Sequence, residues 1–420
     1  MEYCMRRKSS PSLTASLIFL LLLLIGIGAA VSVQGSQQQA HSQTRVQSAS
    51  PFSYLYYTLK DTRGFVIARA RKGINGQPVG TPETLAVLGN EFGLVNTDSV
   101  ATIQLSPDGK YVAIDGVRDH GEQVWVYDTQ RMTVSFVPAY VMGNFLHWLP
   151  GGNGHSFLYR PMLPLGPNAP MDGNTGWNPG LWIVDAATNT HSNIDIHVPS
   201  AYLIDAAASP DDSQIIYSTT LGLGMGSDVW MMNRDGSART HLLSITGAQS
   251  ILGLFTWSPD GSQIAYERLS DSSTPFLNAG LWVMNTHGGQ SRYLVDTDGG
   301  HGFMPVWSPD SRKIAFIART NTTDHRADQQ AQALQCTIGV VDVQSNQAWH
   351  IVSAQQTGML LNINPTWTAD SASITFTALN PINSVVGGTP RYWSARVAGA
   401  TTRPAATQLT PALSHVVAIG

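Results

Sequence analysis

The densest run of side chains able to do chemistry is "DTDGGHGFMP", residues 296 to 305, where Asp296, Asp298 and His301 stand within six positions. Carboxylates and imidazole are suitable ligands for a divalent cation. These three are therefore candidate metal ligands, and a divalent cation is the one cofactor the sequence admits. The spacing departs from a calcium-binding loop, because Trp307 stands where such a loop places its glutamate. The same residues also suit a plain turn in which Asp298 accepts backbone N–H groups beside two glycines. The remaining histidines, including His147, His155, His191, His241 and His350, scatter without H-E-x-x-H or H-x-H spacing. No G-x-S-x-G nucleophile turn occurs, so no catalytic residue is assigned.

Those residues must be positioned by a repeated element. "LSPDGKYVAIDG" begins at Leu105, "ASPDDSQIIYST" at Ala208, "WSPDGSQIAYER" at Trp257, "WSPDSRKIAFIA" at Trp307 and "WTADSASITFTA" at Trp367, with a divergent copy at Trp148. Each is followed by a second signature: "VWVYD" (124–128), "LWIVD" (181–185), "VWMMN" (229–233), "LWVMN" (281–285), "IGVVD" (338–342) and "YWSAR" (392–396). Self-similarity at this period marks a propeller or a solenoid. Ser-Pro-Asp-Gly suits a type I turn, and the flanking runs are short and rich in Val, Ile, Tyr and Trp, as strands require. Four strands per unit predict the blades of an all-β propeller. "GFVIARA" (64–70) is a seventh copy of the second signature, in a unit that lacks its own first strand. The C-terminal "LSHVVAIG" (413–420) is a strand without a unit. Seven blades are expected, closed by one blade shared between the chain ends, with six as the alternative. Asp205 and Asn364 each precede the repeat's Trp position by three residues, which places them with Asp298 and His301 near the channel mouth as candidate ligand-binding residues.

The turns that join first to second strands, and third to fourth, are short and share one face. The longer connections, 160–180, 268–280, 319–336 and 379–391, fall on the other, where recognition usually sits. Most Trp residues recur at fixed repeat positions and read as packing between blades. Trp177 breaks that register inside a Gly/Pro/Asn loop and is the candidate for ligand contact on the long-loop face.

The 420 residues carry a formal net charge of -4, with 12% charged side chains, which gives no electrostatic reason to expect nucleic acid or an anionic membrane surface as a partner. Arg6, Arg7 and Lys8 precede an apolar run from about Leu13 to Val33. Residues 1–33 are therefore expected to be a signal peptide or an N-terminal membrane anchor, the only contact with a membrane. Residues 34–51 read as a flexible polar tether and 52–420 as the propeller. The two cysteines, Cys4 and Cys336, fall on either side of the apolar run and cannot pair. The domain is then expected to be extracytoplasmic, secreted or anchored.

The repeats resemble those of the TolB-like propeller family, whose WD-like unit reads as an apolar strand, Trp-Ser-Pro-Asp-Gly, a strand like "IAYE" and a strand like "LWVMN". The likeness covers about residues 52 to 420 and is strongest at 257 and 307. It implies an extracytoplasmic propeller that binds a protein of the cell envelope. Fewer than 20 residues separate the apolar run from the first strand, which leaves no room for the α/β domain that precedes the propeller in TolB. The expected function is a non-enzymatic scaffold holding a protein or an envelope polymer on its long-loop face. The rival expectation is a propeller hydrolase or lyase, or a small-ligand binder, with a metal at the channel mouth.

Overall fold

The protein's computed structural model describes residues 53–73, 78–89, 92–93, 102–118, 121–137, 142–162, 180–194, 196, 201–222, 224–269, 279–287, 291–298, 303–328, 333–380, 391–399, 405–409 and 416–419. The expected targeting segment and tether lie outside these residues, as do His301 and Trp177. Among the described residues no helix is long and apolar enough to cross a membrane.

Seven antiparallel sheets form a seven-bladed β-propeller. Blade 4 shows the plan: Tyr202–Ala208 is innermost, followed outward by Gln214–Thr220, Ser227–Asn233 and Thr240–Ile245. Blade 5 repeats it with Ile251–Trp257, Gln263–Leu269, Gly280–Asn285 and Arg292–Asp296. The inner strand of blade 4 is buried along its whole length, because it packs between two neighbouring blades. The outermost strands are mostly exposed and polar.

The chain ends meet as the repeat count predicts. Val416–Ile419 pairs antiparallel with Ser53–Asp61, which pairs with Gly64–Lys72, which pairs with Pro78–Gly89. The C-terminal strand is thus the innermost strand of blade 1. Blade 2 departs from the plan. Its inner position is divided between Thr102–Leu105 and the two-residue strand Phe92–Gly93, both paired with Tyr111–Arg118.

Each junction between blades has its own apolar cluster. Ile103 and Trp125 pack with Ile67 between blades 1 and 2, Trp148 with Tyr111 between 2 and 3, and Leu203 with Leu158 between 3 and 4. Phe255 and Ile216 join blades 4 and 5, Trp307 and Val283 join 5 and 6, and Trp367 and Ile338 join 6 and 7. Leu55, Tyr57 and Tyr392 close blade 7 on blade 1. The repeated Trp adds a directional contact. Trp148, Trp257, Trp307 and Trp367 each donate the indole N–H to an inner-strand carbonyl of the preceding blade, on Gln104, Ala207, Thr256 and Val306, at 2.9 to 3.3 Å.

Candidate functional site at the long-connection face

The turn face is closed by its own residues. In the turn at 258, Ser258 Oγ donates to Asp260 Oδ1 at 2.6 Å and accepts the Gln263 N–H at 2.9 Å. Ser106, Ser209, Ser308 and Thr368 repeat this pair of bonds. Successive turns also bind each other. The Asp260 N–H donates to Ser311 Oγ at 3.1 Å and the Asp310 N–H to Ser371 Oγ at 3.2 Å. Asp108 reaches Gly154 O through its backbone N–H at 3.1 Å and His155 Nδ1 through its carboxylate at 2.9 Å. A Cβ on Gly151 would lie 2.7 Å from Asp212 Cβ, so the turn of blade 3 fits blade 4 only as glycine. Asp212 is held in addition by Arg234.

The opposite face carries the connections between second and third strands and those between blades. Several side chains that the sequence singles out lie near it, and they do not form one cluster. Asp205 is nearly buried; its Oδ2 accepts the Phe255 N–H of blade 5 at 2.9 Å and its Oδ1 the Ala206 N–H at 2.8 Å. It sits at a register shift of its strand and ties the inner strands of blades 4 and 5 together. Asn364 occupies a left-handed backbone position, φ 55°, in the bulge of blade 7, a conformation that Asn tolerates. Leu254 holds the equivalent position of blade 5 at φ 57°.

Asp296 and Asp298 part company. Asp296 ends an outermost strand, exposed, and accepts the Tyr293 hydroxyl at 2.9 Å. Asp298, two residues on in the segment leading to blade 6, is 0% exposed. Its electrostatic neighbour is Glu267, 1% exposed, a residue that sequence reasoning passed over. Burial first, and the Asp298 charge second, push the Glu267 carboxyl well above its usual range, with the Thr297 side chain partly offsetting them. Glu267 Oε2 is buried without a hydrogen-bond partner among the described residues. Beyond the pair lies Cys336, buried, whose thiol is pushed up chiefly by burial and also by Asp298. Its Sγ contacts Asn362 O at 3.7 Å, and Asn362 Nδ2 donates to Cys336 O at 3.2 Å. Among the described residues no group of three His, Cys, Asp or Glu is placed to hold a metal ion.

Toward the turn end of the blade 3 inner strand His147 is buried, which lowers its pKa despite the nearby Asp205 charge. At the outer side of blade 4, Asp228, His241 and Ser244 come together with the side-chain types of a hydrolytic triad. Asp228 Oδ1 and Ser244 Oγ both contact His241 Nε2, at 3.1 and 2.9 Å. A triad needs the acid and the nucleophile on opposite ring nitrogens, so this is a surface polar network. Asn321, which heads the N-x-[ST] glycosylation sequon Asn321-Thr322-Thr323, has both amide atoms engaged, donating to Ala333 O at 2.7 Å and accepting from Gln335 N at 2.9 Å.

Solved structures share this architecture at low sequence identity. An oligogalacturonate lyase in complex with manganese superposes with a TM-score of 0.53 at 15% identity, over 87% of this chain and 88% of that one. A prolyl endopeptidase gives 0.54 at 12%, over 94% of this chain and 54% of that one, so the chain spans about half of the peptidase's length. TolB from Acinetobacter baumannii gives 0.43 at 16%, over 70% of this chain and 62% of that one. These are similarities of fold. No protein-family profile matches the chain, and no curated protein sequence is similar to it.

Proposed function

We propose that the protein is an exported binding propeller, secreted or held by its N-terminal apolar segment, that grips a protein or an envelope polymer on the long-connection face. The observation that carries this reading is the asymmetry of the two faces. The turn face spends its polar groups on itself and on adjoining turns. The other face anchors the connections 163–180, 270–279 and 380–390, which are longer than the turns, as segments that carry recognition usually are. Repeat likeness to TolB-like propellers supports an extracytoplasmic setting. The test is capture from the envelope fraction by full-length chain, with charge-reversing substitutions placed in those connections or in the 258–261 and 308–311 turns. Loss of capture only with the first set is the expected result. Turnover of a peptide or polysaccharide by the purified chain would refute a non-enzymatic role.

A second reading is favoured by one observation, the buried Glu267 and Asp298 carboxylates near the mouth of the ring. A perturbed acid beside a second buried carboxylate is a mark of catalytic or ligand-binding sites. In this reading Asp298, with Asp296, His301, Asp205 and Asn364 as the other candidates, would serve a divalent cation in a lyase, hydrolase or small-ligand binder. Elemental analysis of full-length protein, paired with melting with and without EDTA, separates the two. A stoichiometric metal and a lowered melting temperature would favour the second reading.

A further inference from the structure

The connection between the second and third strands of blade 4 reads "TLGLGMGS", residues 220 to 227, with an apolar residue at every second place and glycine between. The conformation of its described residues, 220–222 and 224–227, is fixed by hydrogen bonds. Thr220 Oγ1 donates to Gly226 O at 2.6 Å and accepts the Gly222 N–H at 3.1 Å, so one hydroxyl staples both ends. The Met225 N–H donates to Gly222 O at 3.2 Å, and Gly224 at φ 77° supplies the third position of that turn. Gly226 has φ 79°, and a Cβ there would lie 2.1 Å from Ile245 O, so no other residue fits. Ser227 then donates to Ser250 O, fixing the base of the loop to the segment that enters blade 5.

This construction holds two large apolar side chains in water. Leu221 is 54% exposed and Met225 58%, the two most exposed large hydrophobics among the described residues. Burying neither, a monomer gains nothing from this arrangement. The loop has no charge of its own, and its outer flank carries Asp228, His241 and Ser244, exposed and mutually hydrogen-bonded. Apolar centre and polar rim are the anatomy of a protein interface. A loop for an anionic bilayer would be bordered by Lys or Arg, whereas the nearest charge along the chain is the carboxylate of Asp228.

We infer that the 220–227 loop is a preformed apolar finger that inserts Leu221 and Met225 into a partner protein's apolar pocket bordered by a basic residue, which meets Asp228. Methionine suits such a contact because its thioether is polarisable and flexible. The staple removes the ordering cost that a free glycine loop would carry on binding. The inference rests on the binding-propeller reading above and assigns its central contact to blade 4.

The test places a photo-crosslinking phenylalanine analogue at Leu221, at Met225 and, as a turn-face control, at the exposed Met132, in full-length protein in its own cells. One protein is expected to crosslink from 221 and 225 and not from 132, with the attached peptide lining an apolar pocket that contains Lys or Arg. Leu221→Ser and Met225→Ser should each weaken the purified pair about tenfold or more, Asp228→Asn should reduce its salt sensitivity, and Met132→Ser should leave it unchanged. Melting temperatures of the variants should match the parent, since both side chains are exposed. With further probes placed in 270–279 and 380–390, a partner that crosslinks from those and not from 221 or 225 would overturn the finger and leave the binding-propeller reading standing. Absence of any partner from every position on this face would overturn both. Sedimentation with phosphatidylglycerol vesicles that depends on Leu221 and Met225 would overturn the inference in favour of a lipid surface.

Discussion

Trp307 donates its indole N–H to the carbonyl oxygen of Thr256, one blade back, at 3.0 Å, and is itself 0% exposed. The same bond at Trp148, Trp257 and Trp367 shows why the repeat keeps this residue: it fills the gap between blades and satisfies an inner-strand carbonyl at once. Trp307→Phe should cost about 1–3 kcal/mol, chiefly for the carbonyl left unpaired, and Trp307→Ala about 3–5 kcal/mol. Denaturant unfolding of the two variants measures both.

Closure of the ring predicts a further loss. Removing 416–420 strips the inner strand from blade 1 and leaves an unpaired edge along Ser53–Asp61. The shortened chain should unfold at lower temperature and aggregate. An unchanged melting temperature would mean that packing between blades 7 and 1, through Tyr392 and Leu55, suffices to close the ring.

The Glu267–Asp298 pair predicts a pH dependence with a definite sign. In the unfolded chain Glu267 releases its proton near the ordinary glutamate value, while in the folded protein it holds it to higher pH. The native state then binds more protons than the unfolded one in that window, so stability falls as pH rises from the unfolded value through the folded one. The slope approaches at most about 1.4 kcal/mol per pH unit for one proton. Glu267→Gln should flatten it and raise the melting temperature at neutral pH. A steeper slope, or a less stable variant, would show that the ionised carboxylate is wanted there, as a bound cation would require.

The turn bonds predict local costs. Ser258→Ala removes the donor to Asp260 and the acceptor for Gln263 N–H together, and about 1–2 kcal/mol of stability should go with them. Thermal melting checks this, and capture of a partner should be unaffected.

The blades were legible because their signals are local. Ser-Pro-Asp-Gly turns, Trp anchors and short β-branched runs recur every few tens of residues, and even the missing first strand of blade 1 is visible as a unit one strand short. The divided inner strand of blade 2 was not, since Phe92–Gly93 is defined only by its pairing with Val117 and Arg118. Glu267 was illegible for a related reason. In "IAYER" it looks like a solvent-facing strand residue, and its burial, with Asp298 of the segment between blades 5 and 6 close enough to act on its charge, is a product of tertiary packing. Asp205 and Asn364 fall on the first strands of blades 4 and 7, and their backbone roles depend on bulges that no spacing reveals.

The central claim, recognition on the long-connection face, is tested most directly by hydrogen-exchange footprinting of the full-length protein with and without its captured partner. Protection is predicted in 163–180, 220–227, 270–279 and 380–390, with the turns at 106–109, 258–261 and 308–311 unchanged. Protection confined to those turns would contradict the account.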